Sequence, residues 1–254
     1  MLDNKLKLKV RTKNLIAFWI TNPNIINIEI AINKNFFDIF VIDFEHSLIS
    51  ISEIRNIISI LNAKKIPVLI RFAKFNYQDA PKFLDYGING VIVSDVSSID
   101  QLDEIIKKIF YSKIGDRGVG LGRMNNHGDK FYSYLKNFNK NFVFIPMIEK
   151  QISFEVIDSI YKNVFVDGCM IGPYDLSMSL NKPGDFFSKE FQNIEKFIVR
   201  MSKKYKKAAG LHIMSQDLNR IFLTRRKGFN FTPFMTDVQF FKNGLENLIN
   251  KETK

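Results

Sequence analysis

Eight short apolar runs, each separated from the next by a stretch of helical period, constrain this chain more than any other feature. They are LIAFWIT from Leu15, FDIFVID from Phe37, PVLIRF from Pro67, GVIVSDV from Gly90, FVFIPMIE from Phe142, VDGCMIG from Val166, AGLHIM from Ala209 and FNFTPFM from Phe229. The segments between them include ISEIRNIISILNAKK from Ile51, IDQLDEIIKKIF from Ile99 and SKEFQNIEKFIVRMSKKYKK from Ser188, in which apolar residues return every three or four positions. Strand and helix patterns that alternate in this way belong to repeated βα units around a parallel sheet. Eight such pairs in 254 residues, 46% of them hydrophobic, predict one (β/α)8 barrel domain over residues 1–254. The last segment, VQFFKNGLENLINKETK from Val238, reads as a closing helix.

Composition narrows the setting. The single cysteine, Cys169, sits inside an apolar run, so it reads as a buried small side chain and the chain has no internal disulfide. The charged N-terminus MLDNKLKLKVRTKN has no apolar h-region after it, and no stretch reaches the ~20 apolar residues of a membrane span. A cytoplasmic protein without membrane partners is expected. The net charge of +11 comes from lysines spread along the chain. The denser groups at Lys203, Lys204, Lys206 and Lys207 and at Arg225, Arg226 and Lys227 read as solvated helix ends, with no nucleic-acid motif beside them. The glycine-rich interruption from Tyr111 to Asp129 reads as a functional loop.

In a parallel barrel the C-terminal ends of all strands open on one face, where catalytic groups gather. Here those ends carry Asp43, Glu45 and His46, then Arg71, Ser94 and Asp95, Glu149, Asp175, His212 and Asp237. Glu149 and Asp175 are the expected ligands of a hard divalent cation, Mg2+, Mn2+ or Co2+, whose other positions stay open to water and substrate oxygens. His46 is the expected general base, with Asp43 and Glu45 placed to orient its ring. Arg71 is costly at a buried strand end unless it meets an anion; either a pairing with Asp43 or Asp95 or a role facing an enolate oxygen satisfies it. GPYDLS, from Gly172 to Ser177, offers turn amides to a carboxylate. A base, a cation and two carboxylates on one face suit chemistry on a chelated 2-oxo acid.

The ordered pieces FDIFVIDFEHS, PVLIRF, FLDYGINGVIV, GDRGVGLGR, MIE and VDGCMIGPYDLSMSL resemble the HpcH/HpaI family of metal-dependent class II pyruvate aldolases, also called the 2-oxo-acid aldolase or citrate lyase β-like group. The resemblance implies a pyruvate-binding (β/α)8 barrel, a homo-oligomer, usually a hexamer built from dimers that exchange their last helix, and reversible cleavage of a 4-hydroxy-2-oxo acid to pyruvate and an aldehyde. Carried over by motif, it implies Glu149 and Asp175 as metal ligands and His46 as base with Asp85 as its carboxylate partner. It further implies Arg71 as enolate stabiliser, and Gly172 with the amides of Tyr174 and Asp175 as the pyruvyl carboxylate cradle. The chain departs from the family at Met147, where Gln is common, at Ser94-Asp95, where Pro-Met is usual, and at Tyr174, where a small residue stands. Asp95 and Met147, with His212 at the end of its strand, are the candidate specificity positions. Two rival readings follow: a lyase for a longer sugar-derived 2-oxo acid or for oxaloacetate decarboxylation, and a non-catalytic barrel used for binding or assembly.

Overall fold

The computed structural model describes residues 5–252, with eight strands and eleven α-helices among them. The strands are β1 (Leu15–Ile20), β2 (Ile39–Asp43), β3 (Val68–Phe72), β4 (Gly90–Val93), β5 (Val143–Ile148), β6 (Gly168–Ile171), β7 (Ala208–Leu211) and β8 (Phe231–Pro233). They pair in parallel in chain order, and β8 returns to β1 to close the barrel. Each strand coincides with one apolar run of the sequence. The helices are α1 (Leu6–Thr12), α2 (Ile25–Asn33), α3 (Ile51–Ala63), α4 (Ala80–Tyr86), α5 (Ile99–Ile109), α6 (Phe131–Asn141), α7 (Phe154–Lys162), α8 (Pro173–Ser179), α9 (Lys189–Tyr205), α10 (Asn219–Lys227) and α11 (Asp237–Glu252).

The local chemistry explains where the helices begin. Ser50, Ser98, Ser153 and Ser188 each cap a helix by accepting a hydrogen bond from an amide in its first turn, and Ser50 forms a reciprocal capping box with Glu53. The apolar stripes of α3, α5, α7 and α9 then pack on the outward residues of the strands, giving the larger core. The inward residues form a second cluster inside the barrel, including Ala17, Trp19, Val41, Leu69, Ile145 and Met147. Residues on each strand alternate between these two cores, so the strands are apolar except at Asp43, Arg71 and Thr232. Gly90 is required where β4 and β5 meet, because an added Cβ would collide with the Val143 carbonyl.

Helix α1 closes the N-terminal end of the barrel and is an element the sequence reading did not anticipate. Leu6 and Val10 join the interior cluster, while Arg11 Nε donates to Asp167 Oδ1 at 2.8 Å. Only two of its seven residues are buried, too few to stand out in a lysine-rich segment. The basic clusters lie at the ends of α9 and α10, where Lys204 pairs with Asp158 at 2.7 Å and Lys227 with Glu195 at 2.8 Å. Among the described residues no helix is long and apolar enough to cross a membrane. Cys169 is buried on β6, and burial pushes its thiol pKa up.

Candidate active site

The pairing of β2 with β3 sets Asp43 opposite Arg71 at the C-terminal mouth of the barrel. Arg71 donates from Nε to Asp43 Oδ1 at 3.0 Å and from Nη2 to Oδ2 at 2.5 Å. Its Nη1 lies 3.0 Å from Glu45 Oε2, near enough for charge attraction but without hydrogen-bond alignment. Asp43 also accepts from Trp19 Nε1 at 3.1 Å and from the amides of Glu45 and His46 at 3.0 Å each. Burial opposes ionisation of Asp43, yet Arg71 and these donors hold its pKa below the usual value. Burial likewise opposes the charge on Arg71, and Asp43, Glu45 and Glu149 more than offset it. Asp43 therefore anchors Arg71 and shapes the turn that carries His46.

Glu149 follows β5 and is only 6% exposed. Its Oε1 accepts from the amide of Asp95 at 2.9 Å. Burial, with repulsion from Glu45 and Asp175, pushes its pKa up to about 8 against the pull of the Asp95 amide and Arg71. Gly172 makes the close approach of the next strand end possible: a Cβ there would stand 2.8 Å from Glu149 Cγ and 2.9 Å from its Oε2. Asp175 lies in the first turn of α8, exposed to solvent. Glu149, Asp175, His46, Glu45, Asp95 and Lys150 line one cavity of about 450 Å³ together with Met178 and Ser179 of α8. The cavity thus unites the base and both carboxylates singled out from the sequence.

The remaining candidates take varied positions. The ring of His46 faces this cavity, but Asp43 and Glu45 do not orient it as expected: Asp43 is bound to Arg71, and Glu45 accepts from Ser94 Oγ at 2.6 Å. Asp85, on α4, pairs within the chain with Arg117 at 2.5 Å and not with His46. Arg117 itself is buried against the rings of Tyr111 and Phe138, at 4.5 Å and 5.1 Å, which ties the glycine-rich loop to α4. Asp95 does not meet Arg71 either; its Oδ2 is shared by Lys74 and by Lys150, the latter at 2.8 Å. That cluster was invisible in the sequence, where its three members sit in loops after three different strands. Met147 points into the barrel interior. Asp237 is a structural cap, accepting from Thr21 and Asn22 at the end of β1.

On the other side of α8 lies a second cavity of about 300 Å³, lined by Tyr174, Phe186, His212 and Arg220 among others. The Tyr174 ring meets Phe186 edge-on at 5.2 Å. The His212 ring lies tilted against Trp19 at 4.7 Å, its Nε2 is 3.2 Å from the Met235 carbonyl, and burial lowers its pKa to about 4. It is therefore a neutral imidazole throughout the physiological range.

The donor set at the first cavity fits a hard divalent cation. Glu149 and Asp175 share its lining, and a hard cation takes such carboxylate oxygens together with water; among the described residues no group of three metal-type side chains converges. The raised pKa of Glu149 marks a desolvated, like-charged site that a cation would relieve.

Comparison with known proteins bears on the family and the fold. The family model described as HpcH/HpaI aldolase/citrate lyase matches residues 16–243. A Klebsiella pneumoniae subsp. pneumoniae protein named 2-keto-3-deoxy-L-rhamnonate aldolase is 26% identical over 239 residues, covering 93% of this chain and 88% of its own length. A protein of the same name from Escherichia coli O6:K15:H31 is 25% identical over 249 residues, covering 97% and 92%. The crystal structure of an HpcH/HpaI aldolase from Desulfitobacterium hafniense DCB-2 shares the fold with a TM-score of 0.84 at 22% identity, over 100% of this chain and 98% of that one.

Proposed function

Because the chain belongs to the HpcH/HpaI aldolase/citrate lyase family, we propose that it is a metal-dependent carbon–carbon lyase that reversibly cleaves a 4-hydroxy-2-oxo acid to pyruvate and an aldehyde. The observation that supports this most is the single cavity shared by His46, Glu149 and Asp175 at the barrel mouth. Glu149 and Asp175 would hold Mg2+, Mn2+ or Co2+. A cation bound there supplies Lewis-acid polarisation of the 2-oxo group.

The chain's own groups do the rest. The free amides of Tyr174 and Asp175, beside Gly172, receive the substrate carboxylate at the start of α8. A ring nitrogen of His46 takes the proton of the 4-hydroxyl as the C3–C4 bond breaks and delivers it to C3 of the enolate to give pyruvate; in the synthetic direction it takes a proton from the pyruvate methyl and gives it to the new alkoxide. The electron pair of that bond passes into the pyruvate enolate, whose oxygen is stabilised by the guanidinium of Arg71, held rigid by Asp43. Asp85 acts as partner to the base only across a subunit contact, since within one chain its carboxylate is bound to Arg117.

The test is exchange of the pyruvate methyl protons in D2O, followed by NMR. Exchange is expected with Mg2+ or Mn2+, lost in EDTA, and reduced about 10²–10⁴-fold in His46→Ala, the range spanned by general-base catalysis. Exchange that persists undiminished in chelator would exclude the metal mechanism. Absence of any exchange in the metal-loaded protein would favour a non-catalytic barrel. Pyruvate formation from oxaloacetate but not from hydroxy-oxo acids would redirect the reading to decarboxylation.

The protein is read as a cytoplasmic homo-oligomer, a hexamer built as a trimer of dimers. Helix α11 supports this, because Val238, Phe241, Leu245, Leu248 and Ile249 stand exposed on it at three- and four-residue steps. Beside it lies an apolar cavity of about 560 Å³ walled by Phe36, Phe37, Phe240 and Phe241. Light scattering should give a multiple of the chain mass, and the double variant Phe241→Glu, Leu248→Glu should give smaller species. A monomeric wild-type protein would contradict the assembly.

A further inference from the structure

We propose that Ser94 is a positioning residue for the cation site: its hydroxyl holds Glu45 beside Arg71 and keeps that third carboxylate from joining Glu149 and Asp175 around the metal. This rests on the metal-dependent reading above and extends it to a residue given no role there. Ser94 stands where the chain departs from the usual proline, which has no hydroxyl to offer.

Three carboxylates, those of Glu45, Glu149 and Asp175, line one cavity at the barrel mouth. Yet among the described residues no group of three metal-type side chains converges. Glu45 is held aside at both of its oxygens: Ser94 Oγ donates to Oε1 at 2.6 Å, and Oε2 lies 3.0 Å from Arg71 Nη1. Ser94 is itself fixed. It is buried, and its amide donates to the Phe72 carbonyl at 2.9 Å, which continues the β3–β4 pairing past the last residue of β4. The turn that carries Glu45 is pinned as well, because its amide and that of His46 both donate to Asp43. What remains free is the set of side-chain torsions of Glu45, and the Ser94 hydroxyl selects among them.

Arg71 alone is a weak hold. The guanidinium spends Nε and Nη2 on Asp43, and its contact with Glu45 lacks hydrogen-bond alignment, so Oε2 is enclosed without a hydrogen-bond partner. An acceptor buried in that state is costly. A cation held by Glu149 and Asp175 would offer that oxygen the partner it lacks, and Glu45 is near enough that its charge helps to raise the Glu149 pKa. The Ser94 hydrogen bond, made to an ionised group, opposes the swing. Two consecutive residues thus keep two acids apart: Ser94 takes Glu45 with its side chain, and Asp95 takes Glu149 with its amide at 2.9 Å. The chemistry needs that separation. A cation that chelates a 2-oxo acid must keep positions open to both of its oxygens, and a third carboxylate would fill one and neutralise charge that polarises the oxo group.

Mn2+ binding to the metal-free protein tests this without turnover. Free Mn2+ is followed by electron paramagnetic resonance, and water-proton relaxation reports the exchanging waters left on the bound ion. Ser94→Ala is expected to tighten Mn2+ binding about tenfold, the scale of losing a hydrogen bond that holds a charged group away, and to lower the relaxation enhancement. In a Glu45→Gln background the same substitution is expected to change neither quantity, because the carboxylate that would move in is gone. A general loosening of the fold would weaken binding instead, with or without Glu45. Unchanged or weaker binding in Ser94→Ala, or a tightening that persists in the Glu45→Gln background, overturns the inference. Wild-type protein that binds no Mn2+ removes the metal-dependent reading and this inference with it, whereas wild-type binding without the Ser94 effect removes this inference alone.

Discussion

Glu149→Gln should lower turnover by about 10³-fold or more, the scale set by losing a preorganised electrostatic contact to the reacting oxygens, while making the metal-free protein more stable at alkaline pH. The two effects have one origin. In the folded protein burial and the neighbouring Glu45 and Asp175 raise the pKa of Glu149 to about 8, whereas in the unfolded chain the group titrates in the ordinary carboxylate range. Between those values the folded state binds more protons than the unfolded state. Stability contributed at this site therefore falls as pH rises through that window, by at most ~1.4 kcal/mol per pH unit. The amide of Gln carries no such penalty, so urea midpoints of wild type and variant should converge near pH 5 and separate by pH 8. Added Mg2+ or Mn2+ should reverse the order at pH 8, since the cation stabilises only the carboxylate form. Parallel pH profiles for the two metal-free proteins would show that Glu149 is not held in the desolvated, like-charged setting described above.

Asp43→Ala should be the most destabilising single change at the mouth, by about 3–5 kcal/mol, because it leaves the buried Arg71 guanidinium without its two-point partner. It also removes the acceptor for the amides of Glu45 and His46 and for Trp19. Arg71→Met should cost less, as Asp43 keeps those three donors. The double variant should recover much of the lost stability, since no uncompensated charge remains, yet show no recovery of pyruvate exchange, since the guanidinium is gone. Recovery of both, or of neither, would separate the pair from the chemistry assigned to it. The pH sign is opposite to that of Glu149: the lowered pKa of Asp43 means its contribution is present above the ordinary carboxylate range and is lost as pH falls through its own. Acid should thus weaken one carboxylate site at this mouth and relieve the other.

Much of this architecture was legible in the chain. Eight apolar runs stood for eight strands because strands between two cores leave few polar positions to blur the pattern, as Ala17 and Trp19 inside and Phe18 and Ile20 outside illustrate on β1. Residues that interrupt or end such runs were equally visible: Arg71 within PVLIRF, Glu149 after FVFIPMI and Asp175 in GPYDLS all arrive at the same end of the barrel. Helix α1 escaped because its two buried residues are set among lysines and an arginine. The orienting partners expected for His46 were misjudged for a different reason. Adjacency in DFEH suggested that Asp43 and Glu45 serve the ring, but the β2–β3 register brings Arg71 to Asp43, and a buried guanidinium outcompetes an exposed imidazole for the carboxylate.

Sequence alone determined the barrel and the face on which its polar residues gather, Glu149, Asp175, His46 and Arg71 among them, because apolar periodicity and strand-end position are properties of a linear order. Tertiary structure alone decided which charge meets which: that Asp43 holds Arg71, that Asp85 holds Arg117, that Lys74 and Lys150 share Asp95 and that the Asp95 amide holds Glu149. Those pairings join residues from different strands and loops, and the energy of a charge depends on distance and burial, neither of which is written in spacing along the chain.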